Sequence, residues 1–182
     1  MTDLGIGLIG YAFMGAAHSQ AWRSAPRFFD LPLDPQLNVL GGRNAEAVQA
    51  AATKLGWKET ETDWRKLLGR DDIQLIDVCT PGDSHAEIAI AALEAGKHVL
   101  CEKPLATSAA EAREMVRLAQ ENNLANCTFH NLRYYPQVQN MRRICESGEL
   151  GILPKLIPVT LPTFLPERRT SAPLRSPSTL AI

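Results

Sequence analysis

The stretch LGIGLIGYAFMGAAHSQAW, residues 4–22, opens on an apolar run and passes through a turn of small residues into a helical pattern. The literal spacing GxGxxG occurs as Gly5, Gly7 and Gly10, but those glycines fall inside the apolar run, which reads as a strand. The physically meaningful reading is GYAFMG, with Gly10, Ala12 and Gly15 in the three small-residue positions where the strand gives way to the helix. Gly10 permits the tight turn, the second position admits a pyrophosphate, and Gly15 lets the helix pack closely on the strand. Backbone amides at the helix start, around Phe13 and Met14, supply the donors to an anion. Ala12 departs from glycine at the approach position, so phosphate contact must tolerate one methyl group. Taken alone, the small residues are equally explained by close strand-helix packing, and other motifs must decide.

Outward from this turn the chain keeps a β-α-β-α rhythm. LNVLG, NAEAVQAAATKLG, IQLIDVC, SHAEIAIAALEAG, HVLCE, SAAEAREMVRLAQENN, ANCTFHN and YPQVQNMRRICESG follow in order. Runs such as IQLIDVC are nearly continuous in apolar residues, as strands buried on both faces of a parallel sheet are. The expected fold class is α/β, a Rossmann-type doubly wound parallel sheet over residues 1–151. Ser84 is the expected cap of one helix, with Gly96 as its stop. Ser108 with Glu111 three residues later has the spacing of a capping box. Residues 152–182 are different in kind: they hold six of the twelve prolines and the basic residues Lys155, Arg168, Arg169 and Arg175 against the single acid Glu167. Proline removes a backbone donor and fixes φ, so this Pro/Ser/Thr-rich tail is expected to be largely disordered.

The 182 residues fit one ordinary domain better than a complete two-domain enzyme. With 19 basic and 20 acidic residues there is no bias toward polyanions, so nucleic acid is not an expected partner. No apolar run reaches a membrane-spanning length and the first residues lack a basic secretory start, which makes a cytoplasmic location the expectation. Cys79, Cys101, Cys127 and Cys145 form no CxxC pair and read as reduced core thiols. His18, His85, His98 and His130 lack the paired spacing of a zinc centre, so no metal is expected. His18 reads as structural.

The end of the second strand bears on the choice of cofactor. A carboxylate that takes the ribose hydroxyls of NAD is missing where LNVLGGRN ends in Gly41, Gly42 and Arg43. Asp34 lies in the proline-flanked LPLDPQL, before that strand. Without a carboxylate to repel it, a 2′-phosphate is acceptable there, with Arg43 as charge partner or adenine-stacking plane. The expectation leans to NADP over NAD, the alternative being that Arg43 is a solvated residue at a helix start.

TPGDSH follows IQLIDVC, and EKPLA follows HVLC, so both lie where open parallel sheets bind ligands, at the carboxyl ends of strands. Together with GYAFMG, the string AGKHVLCEKPLA resembles the glucose-fructose oxidoreductase and inositol dehydrogenase family, Gfo/Idh/MocA, and the resemblance runs from about Leu4 to Gly151. It implies that Thr80, Pro81 and His85 border the nicotinamide side of the cofactor and that Lys103 faces nicotinamide and substrate. An ammonium near a reacting alcohol can hydrogen-bond its oxygen and stabilise negative charge as hydride leaves carbon, and Glu102 can position that lysine. A cis peptide at Pro104 is also implied. FHNLRYYP resembles the family's segment after the fifth helix, which gives Asn131 and Arg133 places near nicotinamide or substrate.

Complete members continue into a second α/β domain that supplies most substrate contacts, and the residues after Gly151 do not resemble it. Two functions are therefore expected to compete. In one, the chain serves a dehydrogenase of a sugar, cyclitol or related polyol. In the other, it is a truncated nucleotide-binding or accessory fragment without turnover, whose exposed interdomain surface invites self-association.

Overall fold

The computed structural model describes residues 2–151; the expectation of a disordered tail lies outside the described residues. Six parallel strands form one sheet in the order β3-β2-β1-β4-β5-β6. They are β1 (Thr2–Ile9), β2 (Leu33–Gly41), β3 (Glu59–Glu61), β4 (Leu75–Val78), β5 (His98–Cys101) and β6 (Asn126–Thr128). The connecting helices are α1 (Phe13–Phe28), α2 (Ala45–Leu55), α3 (Arg65–Leu68), α4 (His85–Glu94) and α5 (Ala109–Glu121). Chain order reverses between β1 and β4, the switch point at which open sheets of this kind bind ligands.

Alternation along β1 divides the core. Ile6 and Leu8 pack with Leu40, Val48, Ala52 and Trp57, while Ile9 on the other face joins Ile76, Val78, Ile88, Ala89 and Val99. Helices thus cover both faces, as the expected doubly wound arrangement requires. α5 begins at the capping box read from sequence: Ser108 accepts from Glu111 N–H, and the Glu111 carboxylate accepts from Ser108 N–H.

Several boundaries differ from the sequence reading. β2 starts at Leu33, so Asp34 and Pro35 lie within it rather than before it. Pro35 is tolerated because β3 pairs only with Val39, Leu40 and Gly41, which leaves that side of β2 unpaired at Pro35. Asp34 consequently sits at the amino end of its strand, the wrong end of the sheet for a ribose contact. α1 runs on through Pro26 to Phe28, and the short β3 and α3 had no periodicity long enough to mark them. Ser84 occupies the cap position of α4 but makes no capping bond; its hydroxyl donates back toward Thr80 Oγ1 and Pro81 O, each at 2.8 Å. Cys79 and Cys101 are buried core thiols, but Cys127 is exposed on β6.

The chain divides after His130 into two compact units. The second contains the turn Asn131–Tyr134 and α6 (Pro136–Ser147), which begins on a proline and ends at Gly148 in the left-handed region.

Candidate functional site

β1 delivers the chain to Gly10, whose φ of 101° lies in the left-handed region. A Cβ at Gly10 would fall 2.6 Å from Cys79 O, and one at Gly15 would fall 1.9 Å from Gly10 O. Both glycines are therefore needed for the turn to press against β4 and for α1 to start on top of the turn. Gly10 N–H donates to Gly41 O at 3.0 Å, tying the turn to the end of β2.

Ala12 is the N-cap of α1, with extended backbone, no side chain to bond the exposed amides and no acid in the first turn. The first intrahelical bond is from Ala16 N–H to Ala12 O, so the amides of Phe13, Met14 and Gly15 have no helical acceptor. An uncapped helix start at a switch point is a fitting anion site, and this set of residues suits a pyrophosphate. Phe13 is exposed and Met14 half-buried. The Tyr11 ring lies against Gly42, where a Cβ would come within 2.1 Å of its Cε1. Arg43 follows, exposed, directly before Asn44, whose side chain caps α2 by accepting from Ala47 N–H.

The segments after β4 and β5 are stitched together by His85. Its Nδ1 is 2.7 Å from Pro104 O and its Nε2 2.7 Å from Thr80 O, in a side chain only 1% exposed. His85 therefore holds these loops together and presents neither ring nitrogen to a ligand. Pro81 is exposed and Thr80 half-buried. The Lys103–Pro104 peptide is cis. Lys103 is exposed, while Glu102 beside it is buried and accepts from the Lys103 backbone N–H at 2.9 Å. Glu102 thus acts on the backbone of Lys103. Asn131 and Arg133 fall in the second compact unit, both exposed on the turn Asn131–Tyr134.

Beneath these loops lies a cluster that the sequence did not reveal. His18 is 3% exposed, with Nδ1 2.9 Å from Asp77 Oδ1 and Nε2 3.3 Å from Glu102 Oε1. Trp22 Nε1 donates to Asp77 Oδ2 at 2.8 Å, and the Phe129 ring packs 4.3 Å from the His18 ring centre. Burial works to lower the His18 pKa, but hydrogen bonding and charge from Asp77, then from Glu102, outweigh it and the net displacement is upward. Cys79 completes the group, its thiol 3.3 Å from His18 Nδ1. Burial, reinforced by the Asp77 charge, pushes that thiol far up, and pushes Cys101 up to about 12. The sequence signal was Asp77 itself, an acid inside an apolar strand that needs a buried partner.

Residues 4–130 match the oxidoreductase family with an NAD-binding Rossmann fold. Levoglucosan dehydrogenase of Pseudarthrobacter phenanthrenivorans is 40% identical over 152 residues, 83% of this chain and 39% of that enzyme. A solved levoglucosan dehydrogenase in complex with NADH, 40% identical, superimposes with a TM-score of 0.78, covering 82% of this chain and 41% of the other. An oxidoreductase domain protein from Kribbella flavida has 67% sequence identity and a TM-score of 0.78, over 83% of this chain and 40% of that one. The chain thus spans about 40% of the length of these relatives.

Proposed function

The chain belongs to the Gfo/Idh/MocA family of oxidoreductases, with its NAD-binding Rossmann fold, and on that premise we propose that it is the nucleotide-binding part of a dehydrogenase acting on a sugar, cyclitol or related polyol. The observation that carries this reading is the start of α1, uncapped and free of acids, set at the switch point of a parallel sheet. In the proposed site Gly10, Ala12, Phe13, Met14 and Gly15 receive the pyrophosphate on backbone amides. Thr80 and Pro81, with Lys103, line the nicotinamide side. Asn131 and Arg133 are assigned to nicotinamide or substrate on the family resemblance of FHNLRYYP alone. Bound nicotinamide supplies the hydride acceptor or donor. Lys103 donates a hydrogen bond to the reacting oxygen and stabilises its charge, while His85 and Glu102 keep the two loops in place. Levoglucosan dehydrogenase, solved with NADH and with levoglucosan, is a relative whose substrate class fits.

The site is proposed to take NADPH as well as NADH. β2 ends at Gly41 without a carboxylate, and exposed Arg43 is available to a 2′-phosphate. The proposed setting is the cytoplasm, where an exposed free thiol such as Cys127 stays reduced. Among the described residues no helix is long and apolar enough to cross a membrane.

Calorimetric titration of the chain with NADPH and NADH tests the reading, with micromolar binding expected and Arg43→Glu weakening NADPH about tenfold more than NADH. Absence of binding by either nucleotide would refute it. A second reading, binding without turnover, is supported by the exposed Leu132, Tyr134, Tyr135, Met141 and Leu150, an apolar set available for association with another chain or a second copy. Substrate-dependent reduction of NAD or NADP by the homogeneous chain, offered a panel of anhydrosugars and cyclitols, would exclude that second reading.

A further inference from the structure

The His18 ring stands between two buried carboxylates, Asp77 from β4 and Glu102 from the end of β5, with a different ring nitrogen directed at each. A neutral imidazole carries one N–H and one lone pair, so it can donate to only one of them and would turn its lone pair on the other. Both contacts are made together only when the cluster holds an additional proton. Donors from outside the trio complete it: Trp22 Nε1 on Asp77, and the Lys103 backbone N–H on Glu102 Oε2 at 2.9 Å. The two Glu102 oxygens thus face opposite ways, one into the core toward His18 and one outward to the backbone of Lys103.

We propose that His18 is a positioning residue for the Lys103–Pro104 segment, acting through Glu102, so that a charge cluster in the core sets the backbone of the site's one candidate catalytic side chain. The proposal rests on the nucleotide-site reading only for the consequence of that positioning, since the contacts themselves involve the protein alone. A buried carboxylate without a partner is costly, and without His18 the inner oxygen of Glu102 would seek water or another donor and rotate away from Lys103. The groups facing His18 are Asp77 and Cys79 at β4 and Glu102 at β5, with Phe129 as an apolar neighbour. Both buried thiols, Cys79 and Cys101, are held protonated well beyond neutrality and do not titrate alongside the imidazole.

The test uses the full chain without ligand, following the Lys103 amide and the His18 ring by NMR from about pH 5 to about pH 10. The expected result is a Lys103 amide that moves with the His18 midpoint in the parent protein and is flat in His18→Asn, where its hydrogen exchange is about tenfold faster. Glu102→Gln, which keeps an acceptor oxygen and removes the charge, decides the matter should His18→Asn fail to fold: the Lys103 amide should cease to follow His18. A Lys103 amide that tracks His18 unchanged in Glu102→Gln, or that has the parent's shift and exchange rate in His18→Asn, would overturn the proposal. NADH titrations of the same proteins read the consequence, with affinity about fivefold to tenfold lower in His18→Asn and no further loss in the double variant. Losses that multiply in the double variant would show that His18 does not act through Glu102, and overturn the proposal. If the parent binds no NADH, the nucleotide reading fails, and the amide data alone decide the positioning.

Discussion

Ala12 is where function and stability pull apart. It holds an N-cap position, with φ −71° and ψ −161°, that Ser, Thr, Asp or Asn would normally fill. Ala12→Asp should raise unfolding free energy by about 0.5–1 kcal/mol in denaturant titrations, because it caps orphan amides. The same variant should weaken NADH by at least about tenfold in calorimetry, since its carboxylate occupies the anion's donors and repels it. His18 gives the second prediction at this scale. Its pKa in the folded chain lies above the ordinary 6.5, so its stabilising contribution is complete below that value and is lost as pH rises through the folded pKa. The unfolding free energy from denaturant titrations should therefore fall on raising pH through that window, by about 1.4 kcal/mol per pH unit at most for one proton, and His18→Asn should lack this slope. The roles of the glycines were legible because a turn leaves a local mark. The role of His18 was not, because its partners are 59 and 84 positions away and nothing near it in sequence announces them.

Among the elements, local chemistry was the most readable. Ser108 and Glu111 form the expected reciprocal cap, and Ser108→Ala should cost about 1 kcal/mol of stability by denaturant titration while leaving nucleotide affinity unchanged. Ser84 shows the limit of the same reasoning. Its residue type and position suit a cap, yet the loop after β4 offers nearer acceptors, Thr80 Oγ1 and Pro81 O, and the hydroxyl takes those. β2 was read too short because Pro35 marks a break in an interior strand, and only the sheet order reveals that the edge beside it is unpaired. β3 and α3 are three and four residues long, below the length at which periodicity carries a signal.

At the scale of the molecule, one sheet edge collects what the sequence scattered: the turns after β1, β2, β4 and β5 all leave the parallel sheet at its carboxyl side. That convergence was legible, since the alternation of strands and helices dictates it. The second unit was not assigned separately from sequence, although it exposes Leu132, Tyr134, Tyr135, Met141 and Leu150. Sedimentation velocity should show association that grows with concentration, and Tyr134→Ser with Met141→Lys should reduce it. The buried cluster has a consequence in time as well as in space. His18, Asp77 and Glu102 join α1, β4 and β5 across 59 and 84 positions, and contacts of that separation are expected to form late in folding rather than in its nucleus. Removing them should leave the refolding rate nearly intact and hasten unfolding, which makes this trio a latch on the lifetime of the native state.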